Sequence, residues 1–215
     1  MGSGSEPHVP VLLDEVLEWL RIRPDGIYVV AADGGRPAQL TAENHHETDP
    51  NWSPDQNSLV FGGEPWLEGG APGSATIKML NLKTRQVSTL SGSEGLYSPH
   101  WSPDGRYILA MSLVSFKLML FDFSIQKWTE LVSSPAAYPN WSPDASYIYF
   151  SNPISPSQPS TVRISDRKLE LVMSLSRQRL GWSIAGKWMG LTEDESPLVL
   201  RDTGSEEIYA LDWVH

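Results

Sequence analysis

One pentapeptide recurs at nearly constant spacing, and it constrains the fold more than any other feature of the chain. Asn51-Trp52-Ser53-Pro54-Asp55 is followed by His100-Trp101-Ser102-Pro103-Asp104 and by Asn140-Trp141-Ser142-Pro143-Asp144. A worn fourth copy is Gly181-Trp182-Ser183-Ile184-Ala185-Gly186. The tryptophans follow one another at intervals of 49, 40 and 41 residues. A period near forty with one tryptophan per copy marks a radially repeated all-β unit.

Each copy has a local physical reason. Ser-Pro-Asp-Gly suits a type I turn, with Pro presetting φ at the second position and Asp and Gly tolerated at the third and fourth. An alternating apolar run follows: 58–61, 107–110, 147–150 and 187–191. These runs read as strands. A hairpin pair comes next, such as 117–122 with 127–131. Four short antiparallel strands per period make one propeller blade. On this reading Trp52, Trp101, Trp141 and Trp182 are equivalent and largely buried between blades. Each starts the innermost strand or the turn after it.

Composition narrows the function. A chain of 215 residues with 40% hydrophobic content can bury one repeat domain. A net charge of −10 and sixteen scattered basic residues argue against a nucleic-acid partner. The lack of cysteine excludes disulfides and cysteine-ligated zinc. No apolar run reaches the roughly 18 residues of a membrane span. The amino terminus lacks a basic region followed by an apolar stretch, so the chain is expected in the cytoplasm, or in the periplasm if a signal was removed.

In chain order, residues 1–26 form a tail and an amphipathic helix. In that helix Leu12, Val16, Trp19 and Leu20 share one stripe, and Pro24-Asp25-Gly26 stops it. Residues 27–215 form the propeller. A remnant hairpin occupies 27–41, turning at Asp33-Gly34-Gly35. Blades follow at about 50–90, with a Gly/Pro-rich insertion at 62–74, then 97–132, 138–175 and 180–214. The expected fold is all-β: a partial propeller of four four-stranded blades plus a two-stranded remnant, preceded by one short helix.

Two resemblances attach to particular residues. Trp-Ser-Pro-Asp-Gly followed by Tyr-Ile, and then by a strand ending in Asp or Asn, resembles TolB-type and WD-type propeller repeats over residues 27–215. The wording at Leu118–Phe123, Val162–Glu170 and Ile208–Trp213 also resembles bacterial propellers linked to winged-helix domains. That resemblance implies a protein-interaction or sensory surface and no catalytic residues. The second covers residues 6–29. There, Glu6-Pro7-His8-Val9-Pro10 through Glu18 and Arg23-Pro24-Asp25-Gly26-Ile27 is similar to the start of the small-subunit ribosomal RNA cytosine methyltransferases. That family continues into a glycine-rich cofactor loop, where this chain has Val30-Ala31-Ala32-Asp33-Gly34-Gly35. The junction suggests a fusion.

Candidate chemistry is sparse. Gly181–Gly186 resembles the Gly-x-Ser-x-Gly nucleophile elbow of propeller-bearing serine peptidases, but Ala185 replaces the second Gly, and the repeat register already explains Trp182-Ser183. His45, His46, Glu47 and Asp49 are the densest set of metal-ligand types, yet adjacent histidines on an extended segment point opposite ways, so a polar loop is expected. His8 has no partner motif, and the acidic residues at 193–195 and 206–207 suit solvated turns. No catalytic residue, metal or cofactor is expected.

Binding is the favoured function, with a protein as partner. The loops leading into the innermost strands converge at one end of a propeller's channel, where a rigid scaffold presents ligands. The candidates there are His45, His46 and Asp49, then Tyr97 and His100, then Tyr138 and Asn140. Tyr97 and Tyr138 are suitable aromatic anchors. Alternatives are a methyltransferase fragment lacking its cofactor loop and the propeller of a serine peptidase. No strand is left over to lock the ring, so unclosed edges predict self-association, most simply as a homodimer.

Overall fold

The computed structural model describes residues 26–41, 46–63, 69–155, 158–181, 187–192 and 194–204. The expected helix at 11–20, the strand at 207–213, His45 and Trp182 lie outside them. Apart from a 3-10 turn at Pro72–Ser74, all regular structure among the described residues is β. The chain forms two compact units, one ending at Pro99 and the other beginning at His100.

The alternating runs form antiparallel sheets in strict chain order. A short hairpin joins β1 (Tyr28–Val29) to β2 (Ala38–Gln39). The first full blade is β3 (Glu47–Trp52), β4 (Ser58–Gly63), β5 (Lys78–Asn81) and β6 (Val87–Thr89). The second is β7 (Leu96–Trp101), β8 (Tyr107–Ser112), β9 (Leu118–Asp122) and β10 (Lys127–Val132). The third is β11 (Ala137–Trp141), β12 (Tyr147–Ser151), β13 (Ser160–Arg163) and β14 (Leu169–Leu171). Where the sequence predicts a fourth blade of four strands, the described residues contain β15 (Met189–Leu191), β16 (Pro197–Val199) and an isolated bridge from Leu180 to Arg201. The architecture is an all-β partial propeller.

The second strand of each blade carries the core. Leu59, Val60 and Phe61 are at most 1% exposed, and Ile108, Leu109 and Ala110 are fully buried. Consecutive strand residues point to opposite faces, so both faces of these strands are covered. The remnant hairpin has a packing role in the first unit, where Ile27 and Leu40 join Leu59, Phe61 and Leu80 in one cluster.

The repeated turns share one hydrogen-bond circuit. Ser102 Oγ donates to Asp104 Oδ1 (2.6 Å), which also accepts from the Arg106 amide (3.0 Å), while the Tyr107 amide donates back to Ser102 Oγ (2.8 Å). Ser53, Asp55, Asn57 and Ser58 repeat this circuit, as do Ser142, Asp144, Ser146 and Tyr147. The i to i+3 backbone bond expected of the turn closes each one. Pro54, Pro103 and Pro143 stand exposed at the second position.

The tryptophans depart from expectation. Each ends its strand rather than starting one, and none of the three described is buried: Trp52 is 47% exposed, while Trp101 and Trp141 are half-buried. The buried position is the following serine, with Ser53, Ser102 and Ser142 at 4%, 0% and 0% exposure. A small side chain whose hydroxyl is satisfied within its own turn can be enclosed, whereas an indole at a strand end lies across a neighbouring surface. Trp141 stacks on Tyr107 of the preceding blade, with centroids 6.2 Å apart. Trp101 instead stacks on Phe123 of its own blade at 5.5 Å. The copies are therefore not equivalent.

Candidate functional site

His46 precedes β3, but the other described candidates lie within the innermost strands and not in loops leading to them: Asp49 in β3, Tyr97 and His100 in β7, Tyr138 and Asn140 in β11. A proline stands two residues before each tryptophan. Pro50, Pro99 and Pro139 carry no N–H and cannot complete a ladder. The residue before a proline is also barred from much of backbone space. Asp49, Ser98 and Tyr138 depart from the extended conformation usual before proline and adopt positive φ, at 50°, 50° and 51°.

Pairing slips at these points. Thr48 faces Gly62 but Asn51 faces Val60, so three steps on β3 match two on β4. Ala137 faces Ser151 but Asn140 faces Tyr149, the same slip on β11. One-residue bulges of this kind re-aim side chains and gather near functional sites. A left-handed non-glycine residue costs about 1–3 kcal/mol. Three copies retain it at the same register position.

In the first unit, Gly62 brings the bulge of β3 close to the positive-φ segment at Ser98. It pairs with Thr48, and a methyl group at Gly62 would sit 3.5 Å from both Tyr97 Cα and Ser98 N. Asp49 is exposed, His46 and Tyr97 are half-buried and Ser98 is buried. In the second unit, Asn140 Nδ2 donates to the Tyr138 carbonyl (2.8 Å) and to Met189 O on β15 (3.3 Å). Asn140 therefore ties the bulge to β15, and Tyr138 beside it is half-buried. His100 is half-buried, and its carbonyl accepts from Trp141 Nε1 at 3.2 Å. The sequence signal for the bulges was the X-Pro-x-Trp spacing, which also identifies Ser98, absent from the expected set.

Electrostatic perturbation concentrates in the turns instead. The Ser53 hydroxyl, joined by Asn57, pulls the Asp55 carboxyl down to about 2. Asp144 is lowered by Ser142 in the same way. A groove of about 970 Å³ runs between the second and third blades past the Asp104 and Asp144 turns. Arg106 lies over Tyr107 at 4.8 Å and Arg163 over Tyr147 at 5.7 Å, and both are paired with acids of their own blades, Asp122 and Asp166.

Among the described residues no three His, Asp or Glu side chains gather as a metal site, and no helix is long and apolar enough to cross a membrane. The elbow residues 182–186 lie outside the described residues. The stretch that would hold a methyltransferase's glycine loop is a hairpin turn, in which the Gly34 amide donates to Ala31 O at 2.9 Å.

Comparison with known proteins agrees with this architecture. Residues 23–183 match the family model of the TolB beta propeller domain. Over 82 residues the chain is 33% identical to the Tol-Pal system protein TolB of Alcanivorax borkumensis, covering 38% of this chain and 18% of that protein. It superposes on TolB from Acinetobacter baumannii with a TM-score of 0.60 at 18% identity, covering 84% of this chain and 49% of that one. It superposes on a putative TolB from Agrobacterium tumefaciens with a TM-score of 0.57 at 19% identity, covering 69% and 56%. The chain thus spans about half the length of these solved structures and under a fifth of the curated relative.

Proposed function

Because this chain belongs to the TolB beta propeller family, we propose that it is a non-enzymatic interaction module that binds a protein through the bulged ends of its innermost strands. The observation that carries this reading is the recurrence of the left-handed residue at Asp49, Ser98 and Tyr138. Strain kept at one position in three copies, where an unbulged strand would be cheaper, favours a presented surface. Tyr97 and Tyr138 supply anchors that combine an aromatic body with a polar tip. With a net charge of −10, nucleic acid is a poor partner.

Methyl transfer and peptide hydrolysis are not part of this reading. Gly34 and Gly35 close a hairpin, and the family match already covers Ser183. The likeness to a Tol-Pal system protein favours the periplasmic alternative over the cytoplasmic one. Self-association belongs to the same proposal. Leu169 and Leu171 on β14, and Leu198 and Leu200 on and beside β16, are 43–57% exposed, so light scattering should report a dimer.

The reading is tested by affinity capture with the intact chain and with a Tyr97→Ala, Tyr138→Ala double variant of unchanged melting temperature. A protein retained by the first and lost by the second supports it. Equal capture by both contradicts it.

A further inference from the structure

Aligning the three innermost strands on their tryptophans gives Glu47-Thr48-Asp49-Pro50-Asn51-Trp52, Leu96-Tyr97-Ser98-Pro99-His100-Trp101 and Ala136-Ala137-Tyr138-Pro139-Asn140-Trp141. The position five before the tryptophan is core: Leu96 is 5% exposed and Ala136 1%. In the first blade it holds a carboxyl. The Glu47 side chain is only 6% exposed, and its Oε2 is buried with no hydrogen-bond partner. Its Oε1 lies 3.9 Å from Lys78 Nζ on β5, beyond hydrogen-bond distance, and the Lys78 side chain is 28% exposed. The ladder partner of Glu47 is Gly63, where an added methyl group would sit 3.3 Å from the His46 carbonyl oxygen.

A buried carboxyl oxygen without a donor destabilises a fold, and the second and third blades show that the position accepts an apolar residue. The fold therefore does not require Glu47, and a group kept against stability at such a site points to a ligand. A donor is what Oε2 lacks, and a cationic one matches its charge. We propose that Glu47 receives the side-chain cation, guanidinium or ammonium, of the protein partner docked at the first blade, an assignment that rests on the binding reading above. Lys78, on a flexible stem and more exposed, holds the place and swings aside when the partner's cation enters.

The test uses the full chain and three N-acetylated tripeptide amides, Gly-Arg-Gly, Gly-Lys-Gly and the neutral Gly-citrulline-Gly, titrated while the amide NMR signals of Thr48 and Gly63 are followed. A saturable shift is expected with arginine or lysine, none with citrulline, and at least a tenfold loss of affinity in Glu47→Gln. Glu47→Leu, which copies the second blade, should melt above the wild type. Unchanged binding in Glu47→Gln, or a Glu47→Leu protein that melts several degrees below wild type, overturns the proposal, because Glu47 is then a structural ion-pair residue of Lys78. If Glu47→Gln binds normally while the Tyr97→Ala, Tyr138→Ala variant still loses its protein partner, the Glu47 assignment alone falls and the binding surface stands.

Discussion

Trp141 donates its indole hydrogen to the carbonyl of His100 at 3.2 Å while its ring stacks on Tyr107. The tie joins the third blade to the second at the end of the bulged strand, so it holds the candidate surface as well as the fold. Trp52 is 47% exposed by contrast. Trp141→Ala should cost about 3 kcal/mol, from the lost stack, hydrogen bond and contact area. Trp141→Phe keeps a ring but loses the donor, for about 1 kcal/mol. Trp52→Ala should cost about 1 kcal/mol or less. Urea unfolding of the three variants checks the order, and equal losses for Trp52 and Trp141 would contradict it.

The fourth turn position makes an internal comparison available. It is left-handed in every described copy, with φ of 58° at Gln56, 76° at Gly105 and 59° at Ala145. Only the second copy uses glycine, which adopts this conformation without strain. Gln56→Gly, at an exposed position, should stabilise the protein by about 0.5–1 kcal/mol, and Gly105→Ala should destabilise it by about 1 kcal/mol. Opposite shifts in the urea midpoint are the expected outcome, and a loss of stability in both variants would contradict it.

The Asp55 carboxyl yields a pH signature. The Ser53 hydroxyl and Asn57 lower it from the usual 3.8 to about 2. Between these values the unfolded chain binds more protons than the folded one, so stability rises with pH across the window. The contribution is complete above the unfolded value and is lost as pH falls through about 2. Melting temperatures from pH 5 down to pH 2 should fall more steeply for wild type than for Asp55→Asn, and parallel profiles would count against the turn circuit.

The blade architecture was legible because two periods coincide: a turn chemistry near every fortieth residue, and alternation in the strands that follow it. Ser-Pro-Asp states its turn locally, and no tertiary contact is needed to read it. The tryptophans were misread because the burial of an indole depends on what faces it. Trp141 meets Tyr107 of the preceding blade whereas Trp101 meets Phe123 of its own, a difference that the shared pentapeptide does not encode. The bulges could have been found from Pro50, Pro99 and Pro139, which cannot sit in a regular ladder. Glu47 reads as one more polar residue beside His45 and His46 until the three strands are superposed; only then does a carboxyl stand where leucine and alanine do.

The central claim is that the bulged ends of the innermost strands bind a protein, and photo-crosslinking tests it most directly. A benzoylphenylalanine placed at Tyr97, and separately at Tyr138, preserves the aromatic character of each position. The control is the same group at Ile125, 56% exposed in the β9–β10 hairpin. The account predicts a discrete protein adduct from each tyrosine position on irradiation in cells, and none from Ile125. Adducts from Ile125 with none from Tyr97 or Tyr138 would contradict it.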